Sequence, residues 1–245
     1  MNNMFTHQPE CPVVLGVVPP LNSLGDLAGK NRGIQGHHNS CYLDATLFAM
    51  FTFTSVFDAL LYRPPEPEDS PHYAEVQRVL REEVVNPLRK QGYVRADRVM
   101  KLRTLLEKLS DVPGLTSEEK ATPLTICEEY ASILESCPVP RVYMELFAVL
   151  CIETSHYVAF VKAGVGHDAP WCFFDSMADR KGERNGYNIP EIVCIEELGA
   201  WLGEESARGA GGAGGADGRL PAHARRLLSD AYMCFYRSPD VAMYR

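Results

Sequence analysis

Cys41, His156 and Asp175 are the residue types of a thiol hydrolase, met in that order along the chain. A cysteine nucleophile needs an imidazole to hold it as thiolate and to return the proton later. The imidazole in turn needs a third group to fix its tautomer. Cys41 follows the polar, glycine-punctuated stretch Gly33-Ile34-Gln35-Gly36-His37-His38-Asn39-Ser40 and opens an apolar run. That pattern predicts a thiol on the first turn of a helix, where unpaired backbone N–H groups and the helix dipole favour thiolate. Each residue also has an ordinary alternative: Cys41 a buried structural cysteine, His156 a half-exposed strand histidine, Asp175 a turn former. Order alone does not choose between them. His37 and His38 precede the helix start and suit a cleft wall better than a base. His7, His72, His167 and His223 lie in polar or flexible stretches, or at a helix start, and carry no assignment.

The elements that must position these groups fall into two halves. Cys41 to about Ser55 is expected to be helical, with Leu43, Leu47 and Phe51 on one face and Ser40 or Asn39 as its cap. The proline-rich stretch Arg63 to Pro71 ends the apolar continuation of that helix. A second helix is expected from His72 to about Asn86 and a third over Val99 to Leu109. From Tyr143 the pattern turns to strands: Met144 to Ile152, Tyr157 to Ala163 with His156 at its start, and Trp171 to Phe174 with Asp175 one residue beyond. If the last two are antiparallel neighbours, the start of one faces the end of the other, and His156 meets Asp175. A polar loop (180–188), a short helix (196–201), a glycine-rich tract (208–217) and a last strand (231–237) follow. The expected fold class is α+β, a helical lobe followed by an antiparallel sheet lobe, the two-lobe layout of papain-like thiol hydrolases. Residues 1–32 form a lead-in arm, with the apolar run Cys11 to Val18 as an edge strand or extended segment.

Composition narrows the partners. The chain has 245 residues and a formal charge of −8, with no stripe of Lys and Arg, which argues against a nucleic-acid binder. None of the eight cysteines forms a Cys-x-x-Cys pair, so no zinc site of the usual spacing is expected, nor any other metal or cofactor. No signal peptide or transmembrane segment is legible, and free thiols suit a reducing, cytoplasmic setting.

The stretch from Gly33 to Asp44 resembles the cysteine box of the ubiquitin-specific proteases, usually written G-L-x-N-x-G-N-T-C-Y-x-N. Ser155-His156-Tyr157-Val158-Ala159-Phe160-Val161-Lys162, with Trp171-Cys172-Phe173-Phe174-Asp175, is similar to the same family's histidine box. Glu83 to Arg89, Met144 to His156 and Phe173 to Arg180 extend the match toward one particular member. The resemblance implies that Cys41 is the nucleophile, His156 the general base and acid, and Asp175 the residue that orients it. It further implies hydrolysis after ubiquitin's C-terminal glycine through a thioester, with ubiquitin and polyubiquitin chains, and ubiquitinated signalling proteins, as partners. Linear chains and chains joined through one of ubiquitin's lysines are the implied substrates. Asn39 would help position the oxyanion beside the backbone N–H of Cys41.

Two departures from the family pattern carry expectations of their own. Gly36 stands where the family usually has its oxyanion Asn. Residues 121–142 replace the long central region that normally supplies the ubiquitin-gripping fingers and, in one member, a zinc-binding insertion. The expected organisation is therefore a shortened catalytic domain over 33–245, with a helical lobe at 33–120, a non-matching bridge at 121–142 and a sheet lobe at 143–245. Weakened activity is expected of it; the competing expectation is an inactive interaction protein of the ubiquitin pathway.

Overall fold

Helix α1, Cys41–Phe51, sits at the packing centre of the protein. In a computed structural model, which describes residues 9–109, 144–180, 188–202 and 220–238, it is buried on nearly every side. Cys41, Asp44, Ala45, Leu47, Phe48, Ala49 and Phe51 are all removed from solvent, not only the single face expected from Leu43, Leu47 and Phe51. The reason is that three strands of the large sheet pack against α1, and its buried side chains share one core with those of the other helices. The helix also stops four residues short of Ser55. Thr52 turns its hydroxyl back onto the Phe48 carbonyl at 2.7 Å, and the chain then bends so that the Phe51 and Thr54 carbonyls face Arg89.

Helix α2 covers Ala59–Tyr62 and α3 Tyr73–Val79. The expected second helix does not end at Asn86. It widens into a π turn over Leu80–Val85 and continues as α4, Asn86–Gln91. A proline inside an ordinary helix clashes with the carbonyl four residues back, and the wider turn comes immediately before Pro87. Helix α5 covers Ala96–Leu109. The α4 side chains hold the arm down: Asn86 donates to the Val14 and Gly16 carbonyls, both at 2.9 Å, and Arg89 donates to Val18 O. The run from Cys11 to Val18 is thus an extended segment without strand pairing.

Among the described residues a six-stranded antiparallel sheet runs in the order β1-β7-β6-β5-β4-β8. Its members are β1 (Gly29–Lys30), β4 (Glu145–Glu153), β5 (His156–Lys162), β6 (Trp171–Asp179), β7 (Ile189–Ile195) and β8 (Ala231–Arg237). Strands β2 (Gly33–Ile34) and β3 (Tyr93–Val94) form a small parallel pair. One face of the large sheet packs Phe147, Ala159, Val161, Phe174 and Ile192 against the helices before it, and Phe48 stacks on Phe174 at 4.2 Å. The other face packs Val158, Phe160 and Trp171 against α6 (Leu198–Leu202) and α7 (Ala222–Asp230). Cover on both faces explains the unbroken apolar runs of β4 and β5, where a one-sided sheet would alternate. The α+β class follows from these elements. The bridge 121–142 and the glycine-rich tract lie outside the described residues, as does the polar loop from 181 to 187.

Candidate active site

Two close approaches bring the cysteine loop onto the sheet. Gly33, at φ +83°, lies against the Phe174 ring, where an added Cβ would meet a ring carbon at 2.5 Å. Gly36 lies against Ser176 and Met177, where a Cβ would come within 2.9 Å of the Ser176 carbonyl. Gly36 N donates to that carbonyl at 3.0 Å, and the Asn188 side chain donates to Gly36 O. A family-type asparagine has no room at Gly36, which gives the sequence departure a steric basis.

Ser40 stands at the cap position of α1 without capping it, contrary to expectation. Its hydroxyl accepts from His37 N at 2.9 Å and donates to Asp44 Oδ2 at 2.7 Å. His38 and Asn39 both have positive φ, and both are exposed. They deliver Cys41 to the first turn of α1, where the residue is 5% exposed.

His156 and Asp175 meet as the strand order predicts, because β5 and β6 are antiparallel neighbours. His156 Nε2 lies 2.9 Å from Asp175 Oδ1. Asp175 is not beyond the strand, as expected, but inside β6. Its register with β7 breaks directly after it, between Asp175 and Asp179. The irregularity releases Met177 N to donate to Asp175 Oδ1 at 2.8 Å, so the carboxylate is held from two sides.

That contact leaves Nδ1 as the second ring nitrogen, on the Cys41 side of the site. Burial pushes the His156 pKa down, but the hydrogen bonds to Asp175 and Cys41 and their charges outweigh it and carry it up to about 9. At neutral pH this imidazole holds a proton. Sequence reasoning missed two backbone groups at the sulfur: Tyr157 N donates to Cys41 Sγ at 3.5 Å, and the Ser155 carbonyl lies 4.0 Å from it. No side-chain pattern signals a backbone donor. The signal available was the two-residue turn Thr154-Ser155, whose positive φ values (46° and 68°) close the β4–β5 hairpin tightly over the thiol.

The buried thiols of Cys11, Cys151 and Cys172 are held protonated. Burial raises Cys151 to about 12 and pushes Cys172 up further. His37 and His38 touch edge to face, with ring centroids 3.7 Å apart, beside the thiol's loop. Among the described residues no cluster of His, Cys, Asp or Glu suits a metal ion, and no helix is long and apolar enough to cross a membrane.

Comparison with known proteins gives a consistent answer. No family model matches the chain. It is, however, similar to proteins named ubiquitin carboxyl-terminal hydrolase CYLD from Homo sapiens, Pongo abelii and Mus musculus. Each is 31% identical over 376 aligned residues, covering 89% of this chain and 39% of the relative. The chain therefore spans about two fifths of the length of these curated relatives. The aligned span exceeds the 245 residues of the whole chain, so the relatives carry well over a hundred positions without a counterpart here. Homology to ubiquitin carboxyl-terminal hydrolase CYLD over most of this chain supports a catalytic domain of the ubiquitin-specific protease type.

Proposed function

We propose that the chain is a deubiquitinating thiol hydrolase of papain-like, two-lobe type, with Cys41 as nucleophile, His156 as general acid and base, and Asp175 as its orienting partner. One contact supports the reading: His156 Nε2 lies 2.9 Å from Asp175 Oδ1, which leaves Nδ1 for Cys41. In acylation the Cys41 thiolate attacks the carbonyl of ubiquitin's C-terminal glycine. The C–S bond forms, the C–N bond breaks, and His156 gives its proton to the departing amine. Water then attacks the thioester carbonyl and His156 takes its proton. The C–S bond breaks, ubiquitin leaves as its carboxylate with water's second proton passing to solvent, and the thiolate faces imidazolium again. The Cys41 backbone N–H, with Asn39 beside it, is the oxyanion donor set that remains when Gly36 bears no side chain.

The substrates on this reading are linear and lysine-linked polyubiquitin on signalling proteins, in the cytoplasm. Residues 33–245 form one shortened catalytic domain behind the arm 1–32. The many positions of the relatives that lack a counterpart here favour a reduced grip on ubiquitin's globular body, hence a raised KM more than a lowered kcat. The same observation favours a second reading, an inactive interaction protein that keeps the site by descent. A ubiquitin probe with a C-terminal electrophile separates the two. Adduct formed by the wild type and abolished in Cys41→Ala supports the enzyme; a folded wild type that forms none overturns it.

A further inference from the structure

Asp44 has no role in the triad, yet it is the most completely enclosed carboxyl near it, with no solvent exposure. It lies one turn after Cys41 on α1. Its Oδ2 accepts the Ser40 hydroxyl at 2.7 Å, and that hydroxyl accepts His37 N at 2.9 Å, so the loop that presents the thiol closes onto this carboxyl. On its other side the carboxyl bears on the Ser176 hydroxyl, the residue directly after Asp175. Asp44 Oδ1 and Ser176 Oγ are both buried, and neither has a hydrogen bond of ordinary geometry. The Ser176 carbonyl, for its part, accepts Gly36 N from the start of the same loop. Asp44 thus sits at a buried junction of the loop before Cys41, helix α1 and the strand bearing Asp175.

We propose that Asp44 is a positioning residue for the thiol chemistry, coupling the loop that presents Cys41 to the strand that carries Asp175. The inference rests on the thiol-hydrolase reading given above. A proton on Oδ1 completes the coupling, because the acid O–H then donates toward Ser176 while Oδ2 continues to accept from Ser40. The charged and titratable groups bearing on the carboxyl are Arg103 from α5 and His156 from β5, with Cys41 and Tyr42 beside it on α1. Arg103, His156 and the two serine hydroxyls favour the carboxylate, but burial outweighs them and carries Asp44 up to about 8. The protonated form is therefore the working form at neutral pH. Ionisation would leave a buried anion facing the strand, a change that pulls the junction apart.

The test is hydrolysis of a ubiquitin C-terminal fluorogenic amide by the full chain across pH, with the electrophilic ubiquitin probe run in parallel. Asp44→Asn keeps a neutral donor and is expected to retain kcat within about threefold, with its alkaline limb moved upward. Asp44→Ala is expected to lose at least tenfold in kcat with KM little changed. Ser176→Ala removes a group that favours the charged carboxyl, so its alkaline limb also moves upward. That variant, with Asp44→Asn, keeps the inference testable if Asp44→Ala does not fold. An unmoved alkaline limb in both, or an Asp44→Asn enzyme that loses tenfold or more in kcat, overturns the positioning role. Failure of the wild type to react with the probe instead overturns the hydrolase reading.

Discussion

His156 meets Asp175 through Nε2, at 2.9 Å, and this one contact decides which ring nitrogen is left for Cys41. The imidazolium that Asp175 stabilises exists only while the ring holds its proton. Asp175→Asn removes the charge but keeps the shape. We expect kcat/KM to fall at least tenfold and its alkaline limb to move to lower pH, since Asp175 is what raises the His156 pKa. A pH–rate profile of both proteins checks it; identical limbs would contradict the assignment.

Thermal stability should carry the same signature. A histidine raised from its usual 6.5 to about 9 binds a proton in the folded state that the unfolded chain has released. Its contribution is complete below pH 6.5 and is lost as pH rises through 9. The difference in Tm between wild type and His156→Ala should therefore shrink over that interval, as read by scanning calorimetry.

Asp44 should act in the opposite sense to an ordinary ion-paired carboxylate. With its folded pKa raised to about 8, the folded state binds the extra proton from about pH 4 upward, and stability drains away toward pH 8. Asp44→Asn is expected to gain in Tm over the wild type progressively across that range. A constant offset would show that Asp44 does not titrate there.

Arg89 has a wholly buried guanidinium that donates to Phe51 O, Thr54 O and Val18 O and pairs with Asp58 at 2.6 Å. Its fork satisfies the carbonyls where α1 ends and the arm crosses. Arg89→Leu leaves those acceptors and Asp58 unpaired and should cost about 3 kcal/mol or more in urea unfolding. Lysine, with a single point of donation, should restore less than half of it.

At the hairpin, Thr154 and Ser155 hold a backbone conformation that neither residue favours. Asn-Gly in their place should stabilise the protein by about 1 kcal/mol in the same unfolding assay. Gly36→Asn should do the reverse, by about 1–3 kcal/mol through steric overlap with Ser176 and Met177, without any gain in turnover.

Much of this arrangement is legible in the residues themselves. His156 and Asp175 could be paired from strand order alone, because neighbouring antiparallel strands join start to end. Cys41 at a helix start was equally open to reading, from the polar run that precedes an apolar one. What could not be read depends on contacts between distant segments. Asp175 lies within β6 because β7 extends the pairing past it, and the run of strand residues does not reveal its partner's length. The helix through Asn86 continues because the turn before Pro87 widens, a local adjustment with no side-chain signature. Ser40 leaves its expected cap because its hydroxyl oxygen accepts His37 N instead, while its proton goes to the buried Asp44 carboxyl.

The stacking of Phe48 on Phe174 gives the core a reporter. The same helix bears the thiol and the same strand bears the carboxylate, so the spacing between reactive groups is fixed by how well two aromatic rings fill the space between them. A loosened core would register first as slowed labelling of Cys41, well before the chain unfolds. Chemical reactivity at one sulfur atom thereby becomes a gauge of interior packing some two turns of helix away.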